Sequence, residues 1–79
     1  MNFDSVLQDI LVHLVTFCVQ GMKKPEEIIV SEKIMGMLNA LTVLPRSVQF
    51  IGNKFYIADV PVELGTMQYK NIDIWYRIV

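Results

Sequence analysis

His13 is the only imidazole in the sequence, and it lies one helical turn after Asp9. A carboxylate at that spacing can orient an imidazole. Cys18, the only cysteine, follows five residues later. Five residues of helix rotate the chain until the two side chains point about 140° apart, so His13 and Cys18 do not form a nucleophile pair. The simplest reading is an exposed Asp9–His13 pair with Cys18 in the core. The alternative, His13 binding a metal with a carboxylate across an oligomer axis, has no local support. A Ser-His-Asp set, a Gly-rich phosphate loop and a cysteine pair for zinc are all missing from the sequence. No cofactor is expected, and the chain reads as a protein that is not an enzyme.

The remaining chemistry is that of recognition. Alternation along the C-terminal segment separates Ile72, Ile74, Tyr76 and Ile78 from Asn71, Asp73, Trp75 and Arg77. Upstream, Gly52-Asn53 reads as a two-residue hairpin turn with Gly at the first central position. Such a loop fixes the register: Ile51 faces Lys54, Phe50 faces Phe55, Gln49 faces Tyr56 and Val48 faces Ile57. Val48, Phe50, Phe55 and Ile57 then share the core face, leaving Lys54 and Tyr56 outside. If both strands belong to one sheet, Trp75, Arg77, Tyr56, Lys54 and Asp73 project to the same side. Two aromatic planes and two cations suit a protein surface or a small anionic or aromatic ligand. The plainer alternative is that Trp75 covers the sheet or lies in a subunit contact.

The elements that hold these residues follow from periodicity. A helix is expected from Asp4 to Gln20, capped by Asp4 or Ser5 and closed by Gly21 in a left-handed conformation. Its polar residues form one narrow stripe, and the apolar arc is about twice that of an ordinary surface helix. A chain this short could hardly cover such an arc. A homo-oligomer is therefore expected, with Val12, Val15 and Val19 among the contacts. Two readings compete after Pro25: a helix beginning there, or a short strand over Glu27–Val30 followed by a helix from Ser31 to Leu41. Three consecutive β-branched residues and the capping ability of Ser31 favour the strand. The second helix would bury Ile34, Met37, Leu38 and Leu41. Asp59–Leu64 can continue as a strand that Pro61 confines to an edge, bulge or corner. Gly65–Gln68 are turn-like, and the last strand runs from Tyr69 to Val79. Lys23 and Lys24, and Glu26, Glu27 and Glu32, read as solvated charges, with an acidic partner or a cation as the alternative for each group.

Together these make an α+β fold: an N-terminal helix, a short strand-helix unit, and a C-terminal antiparallel sheet of three to four strands in two layers, with one sheet face free. The 79 residues form a single domain. The charges nearly cancel, at seven basic and eight acidic residues, which excludes a dedicated nucleic-acid binder. Hydrophobic residues make up 53% and charged residues 19%, so disorder is excluded. The longest uncharged run, Ile10–Met22, falls short of the roughly 20 residues of a membrane span. Asp4 and Asp9 do not fit a secretory signal. A cytoplasmic protein is expected.

Pro25-Glu26-Glu27-Ile28-Ile29-Val30-Ser31 with its following helix, and Phe55-Tyr56-Ile57-Ala58-Asp59-Val60-Pro61-Val62, resemble small phage-encoded proteins. A similar order of strand, capped helix and Pro-Val strand occurs in the peripheral domain of tailed-phage capsid subunits. The resemblance covers about half the chain and implies a viral or prophage origin. It assigns no site residue, and the length points to an accessory protein, not a capsid subunit. The expected function is sequestration of a partner, such as a host factor. The alternative is a structural or assembly protein that works by self-association.

Overall fold

The computed structural model describes residues 2–66 and 72–79. The protein is α+β, with the order α1 (Phe3–Gly21), β1 (Ile28–Val30), α2 (Glu32–Asn39), β2 (Val48–Ile51), β3 (Lys54–Ile57), β4 (Val60–Leu64) and β5 (Tyr76–Ile78). The strands form one five-stranded sheet in the order β2-β3-β4-β1-β5. β1 enters between β4, to which it is parallel, and β5, to which it is antiparallel. The sheet is thus mixed and larger than the antiparallel one expected, because the β-branched run Ile28–Val30 joins it as an inner strand.

The core lies on one face of the sheet. Val6, Leu7, Ile10 and Leu14 of α1 and Ile34 and Leu38 of α2 pack with Ile28, Val30, Val48, Phe55, Ile57, Val60 and Val62. Met37 and Leu41, expected in the core, are only partly buried against it. The caps of α1 also differ from expectation. Asn2 accepts from the Ser5 N–H at 2.9 Å, and Met22, at φ 53°, takes the left-handed position assigned to Gly21. By length and composition α1 is apolar enough to cross a membrane, a measure that the uncharged run alone understates. Four of its residues nevertheless belong to the core. Cys18 is exposed, not in the core.

The hairpin register is as the sequence requires, from Ile51 opposite Lys54 to Val48 opposite Ile57. Gly52 and Asn53 both have positive φ, at 58° and 63°, as in a type I′ turn. Phe50 is a correction: its ring packs on Phe55 at 4.7 Å between centroids, yet the residue is 50% exposed. It stands at the outer strand of the sheet, where the helices above no longer cover the core face.

A second two-residue turn, Ala58-Asp59, joins β3 to β4 with φ of 50° and 66°. The strand therefore starts at Val60, not Asp59, and it is internal despite Pro61. The two residues flanking such a turn bond each other, so the next pair, Tyr56 and Pro61, directs its backbone groups outward. On that side β1 begins only opposite Val62. The missing N–H of Pro61 thus falls where no ladder needs it. The last strand is also shorter than expected. Its ladder covers Tyr76–Ile78, residues 72–75 lead into it, and the expected strand positions 69–71, with positions 67 and 68 of the expected turn, lie outside the described residues.

Ser31 links three of these elements. It is the only buried polar residue among those described, at 3% exposure. Its Oγ accepts the Ile34 N–H, capping α2, and the Trp75 N–H, each at 3.4 Å. Its own N–H donates to the Trp75 carbonyl at 3.0 Å.

Two substitutions test this account. Ser31→Ala should cost about 1–2 kcal/mol in urea denaturation, through loss of the cap and an abandoned Trp75 N–H. Ala58→Gly should stabilise by about 0.5–1 kcal/mol, because left-handed backbone is strained for alanine. A destabilised Ala58→Gly protein would contradict the left-handed turn.

Candidate functional site

Strand order decides which outer-face residues meet. Ile51 pairs with Lys54, Glu63 with Ile29, and Ile29 with Arg77. An ion pair between Lys54 and Glu63 closes the remaining gap. One cross-strand row therefore reads Ile51, Lys54, Glu63, Ile29, Arg77. Its side chains point away from both helices, because Ile28, Val30, Phe55 and Val62 on the alternate positions are buried.

Trp75 lies beside this row. A Cβ added to Gly65 would meet the Trp75 Cη2 at 2.4 Å and the Ile29 Cγ2 at 2.8 Å, so the indole sits directly over Gly65. Only a residue without a side chain admits the ring there. The Trp75 backbone is fixed from behind by its two hydrogen bonds to Ser31. The ring walls a groove of about 290 Å³ whose lining includes Glu27, Ile29, Glu63, Gly65, Thr66 and Arg77.

The five residues picked from the sequence are only partly together. Trp75 and Arg77 share the groove. Lys54 stands at its margin, engaged by Glu63, whose hydrogen bond and charge hold the ammonium above its ordinary range. Tyr56 faces the same side but is one row away, opposite Gln49 and Pro61. Asp73 is exposed ahead of β5 and does not line the groove. Two strands, β4 and β1, separate the hairpin from β5. The sequence pattern missed Glu27, Ile29, Glu63 and Gly65. The alternation Glu27-Ile28-Ile29-Val30 was the available signal for the first two.

Chemically the groove is amphoteric. Glu27 and Glu63 provide carboxylates, Arg77 a guanidinium, Ile29 an apolar floor and Trp75 an aromatic wall. A cationic group lying against the indole would meet the carboxylates, and a carboxylate on the same ligand would meet Arg77.

A second cluster lies at the other side of β5. The Tyr76 hydroxyl donates to the Asp9 Oδ2 at 2.6 Å, and His13 Nδ1 contacts the same hydroxyl. Tyrosine has one proton to give, so His13 Nδ1 is the donor of its bond. His13 Nδ1 is also 3.7 Å from Asp9 Oδ2. Burial, the hydrogen bond to Asp9 and the charge of Asp9 all push the Tyr76 phenol above its ordinary range. A phenol raised in this way stays protonated at neutral pH and supplies no phenolate base, so the cluster serves to fasten the C-terminal strand to the N-terminal helix. Ser5 lines a second groove, beside this cluster, together with Asp9, His13 and Tyr76. Eight residues of helix place it about 12 Å along the axis from His13, too far for a nucleophile and its base. Among the described residues no group of three His, Cys, Asp or Glu side chains could hold a metal ion.

Gly65→Ala should displace the indole, shifting the emission of the only tryptophan to longer wavelength and costing about 1–3 kcal/mol. Unchanged emission would place the ring elsewhere. Tyr76→Phe should cost about 1 kcal/mol at neutral pH. Because the folded phenol titrates above the unfolded value of about 10, its contribution is complete below that pH and is lost as pH rises beyond it. Denaturation curves between neutral and strongly alkaline pH should therefore converge for wild type and Tyr76→Phe.

No protein-family model matches this chain, and neither a curated protein nor a solved structure matches it.

Proposed function

We propose that the protein is a small non-catalytic binding module that acts by occupying a partner, with the open face of the sheet as its contact surface. The observation that carries this reading is the fixed Trp75 beside Arg77. Seated on Gly65 and tied to Ser31, the indole loses little further freedom on binding, which is what makes a rigid aromatic an effective anchor. Both helices lie on the opposite face, so neither of them covers this one. The preferred partner presents an amine or guanidinium next to an apolar group, answering Glu27, Glu63 and the indole. A host factor bound in the cytoplasm by a phage-like accessory protein is the setting that the sequence resemblance suggests.

Self-association is part of the same proposal. Val12, Val15 and Val19 are 52%, 64% and 73% exposed, and Met22 continues the stripe at 91%. Their steps of three and four residues make a helical seam that a second copy can cover. The same stripe favours the second reading, a structural or assembly protein for which self-association is the whole function.

Sedimentation at tens of micromolar should give a species larger than the 9.1 kDa chain, and Val15→Asp with Val19→Asp should return it to a monomer. A monomeric wild type would remove the self-association part. For the binding part, quantitative affinity capture should compare wild type with Arg77→Ala and with the monomeric double variant. A discrete partner retained by wild type and lost about tenfold or more with Arg77→Ala supports the reading. Equal retention by Arg77→Ala would place the contact on another surface. Open-ended polymerisation without any retained partner would favour the assembly protein.

A further inference from the structure

β5 ends the sheet, and its backbone phase is fixed by its bonds to β1 and the flanking residues. Val79 donates to the Glu27 carbonyl at 3.0 Å and Ser31 to the Trp75 carbonyl at 3.0 Å. The pairs 27/79 and 31/75 therefore face each other across the strands, and so does Ile29/Arg77 midway between them. Tyr76 and Ile78 consequently turn their N–H and C=O groups to the outer edge, where no described strand pairs with them.

Along that edge runs a groove of about 490 Å³, bounded on one side by α1 and on the other by the start of β5. Val6, Ile74, Trp75 and Tyr76 line it with apolar and aromatic groups, and Ser5, Asp9 and His13 give it a polar rim. No Lys or Arg lines it, and Asp4 lies in the adjoining concavity with Ser5 and Asp9. Asp9 uses Oδ2 toward Tyr76 and His13, leaving Oδ1 without a described partner. A strand edge with open backbone groups, a helical wall and a carboxylate above it is the arrangement by which domains add an extended peptide to a sheet.

We propose that this groove receives an extended peptide segment as a sixth strand on β5, with a Lys or Arg side chain of the peptide directed to Asp9. Tyr76 and Ile78 share the helix-covered face, so the peptide residues opposite them point into the groove. The residue opposite Tyr76 meets Asp9, and the residues two positions to either side meet Ile74 and Ile78. The recognised pattern is thus apolar-x-basic-x-apolar. Trp75 lines this groove as well as the one that holds Arg77, but Asp9 lines only this one and Arg77 only the other, so Asp9→Asn and Arg77→Ala test the two proposals separately.

The probe is acetyl-Val-Thr-Lys-Thr-Val-amide, titrated into the full-length ¹⁵N-labelled protein, with acetyl-Val-Thr-Glu-Thr-Val-amide as the charge-reversed control. Saturable binding is expected to slow hydrogen exchange at the Tyr76 and Ile78 amides and to shift His13. The control should bind about tenfold more weakly or worse, and Asp9→Asn should reduce affinity for the lysine peptide about fivefold. Ile78→Pro removes an N–H that faces outward, not the one toward β1, and should abolish binding. If that variant fails to fold, exchange in the free wild type decides: both amides must exchange readily. Protection of Tyr76 and Ile78 in the free protein would show that the edge is already covered, by a second copy or by the chain itself. That result, equal binding of the two peptides, or no saturation at about 5 mM would overturn the proposal.

Discussion

At Ser31 the chain must leave an inner strand and begin a helix within one residue, and it must do so without water. Backbone donors at such a junction have lost the ladder and do not yet have helical partners. The Ser31 hydroxyl serves two of them, one at the start of α2 and one on Trp75. The cap, the approach to β5 and the position of the indole therefore depend on the same oxygen. A threonine could supply the hydroxyl, but its extra methyl would enter a site that is 3% exposed.

From that junction the division of the molecule follows. The helices cover the sheet face bearing Ile28, Val30, Ile57 and Val62, while the other face is left to solvent with Ile29, Glu63 and Arg77. β5 is the shared wall of the two candidate sites. One lies against Trp75 on the open face, and the other lies under α1 beside Tyr76. Both depend on a three-residue strand held by β1 on one side and by the Asp9–Tyr76–His13 cluster above.

The hairpin register was fully legible in the sequence, because a two-residue turn leaves the strands no choice of pairing. The strand at Ile28–Val30 and the cap at Ser31 were legible too, since β-branching and hydroxyl capping act locally. Strand order was not, as nothing local tells β3 that β4 and β1 will separate it from β5. For that reason alternation gives the face on which Lys54 and Tyr56 lie, and it does not give their separation from Trp75. Phe50 shows the same gap: alternation gives a side, and the extent of the helices above decides whether that side is covered. Tyr76 carried a readable hint, being the one polar tip in a row of isoleucines, and such a tip needs a partner when it is partly buried. Finding that partner on the helix some sixty residues earlier required the fold.

The two left-handed turns also bear on the order of assembly. They join β2, β3 and β4 through loops of two residues each, so the meander closes with little loss of chain entropy and can zip within microseconds. β1 and β5 must instead close a loop of about fifty residues, and α1 reaches Tyr76 only after that. The meander is therefore the natural nucleus, and both ends of the chain dock late onto a preformed edge. Partial opening should follow the reverse path, releasing β5 and α1 together while the meander persists.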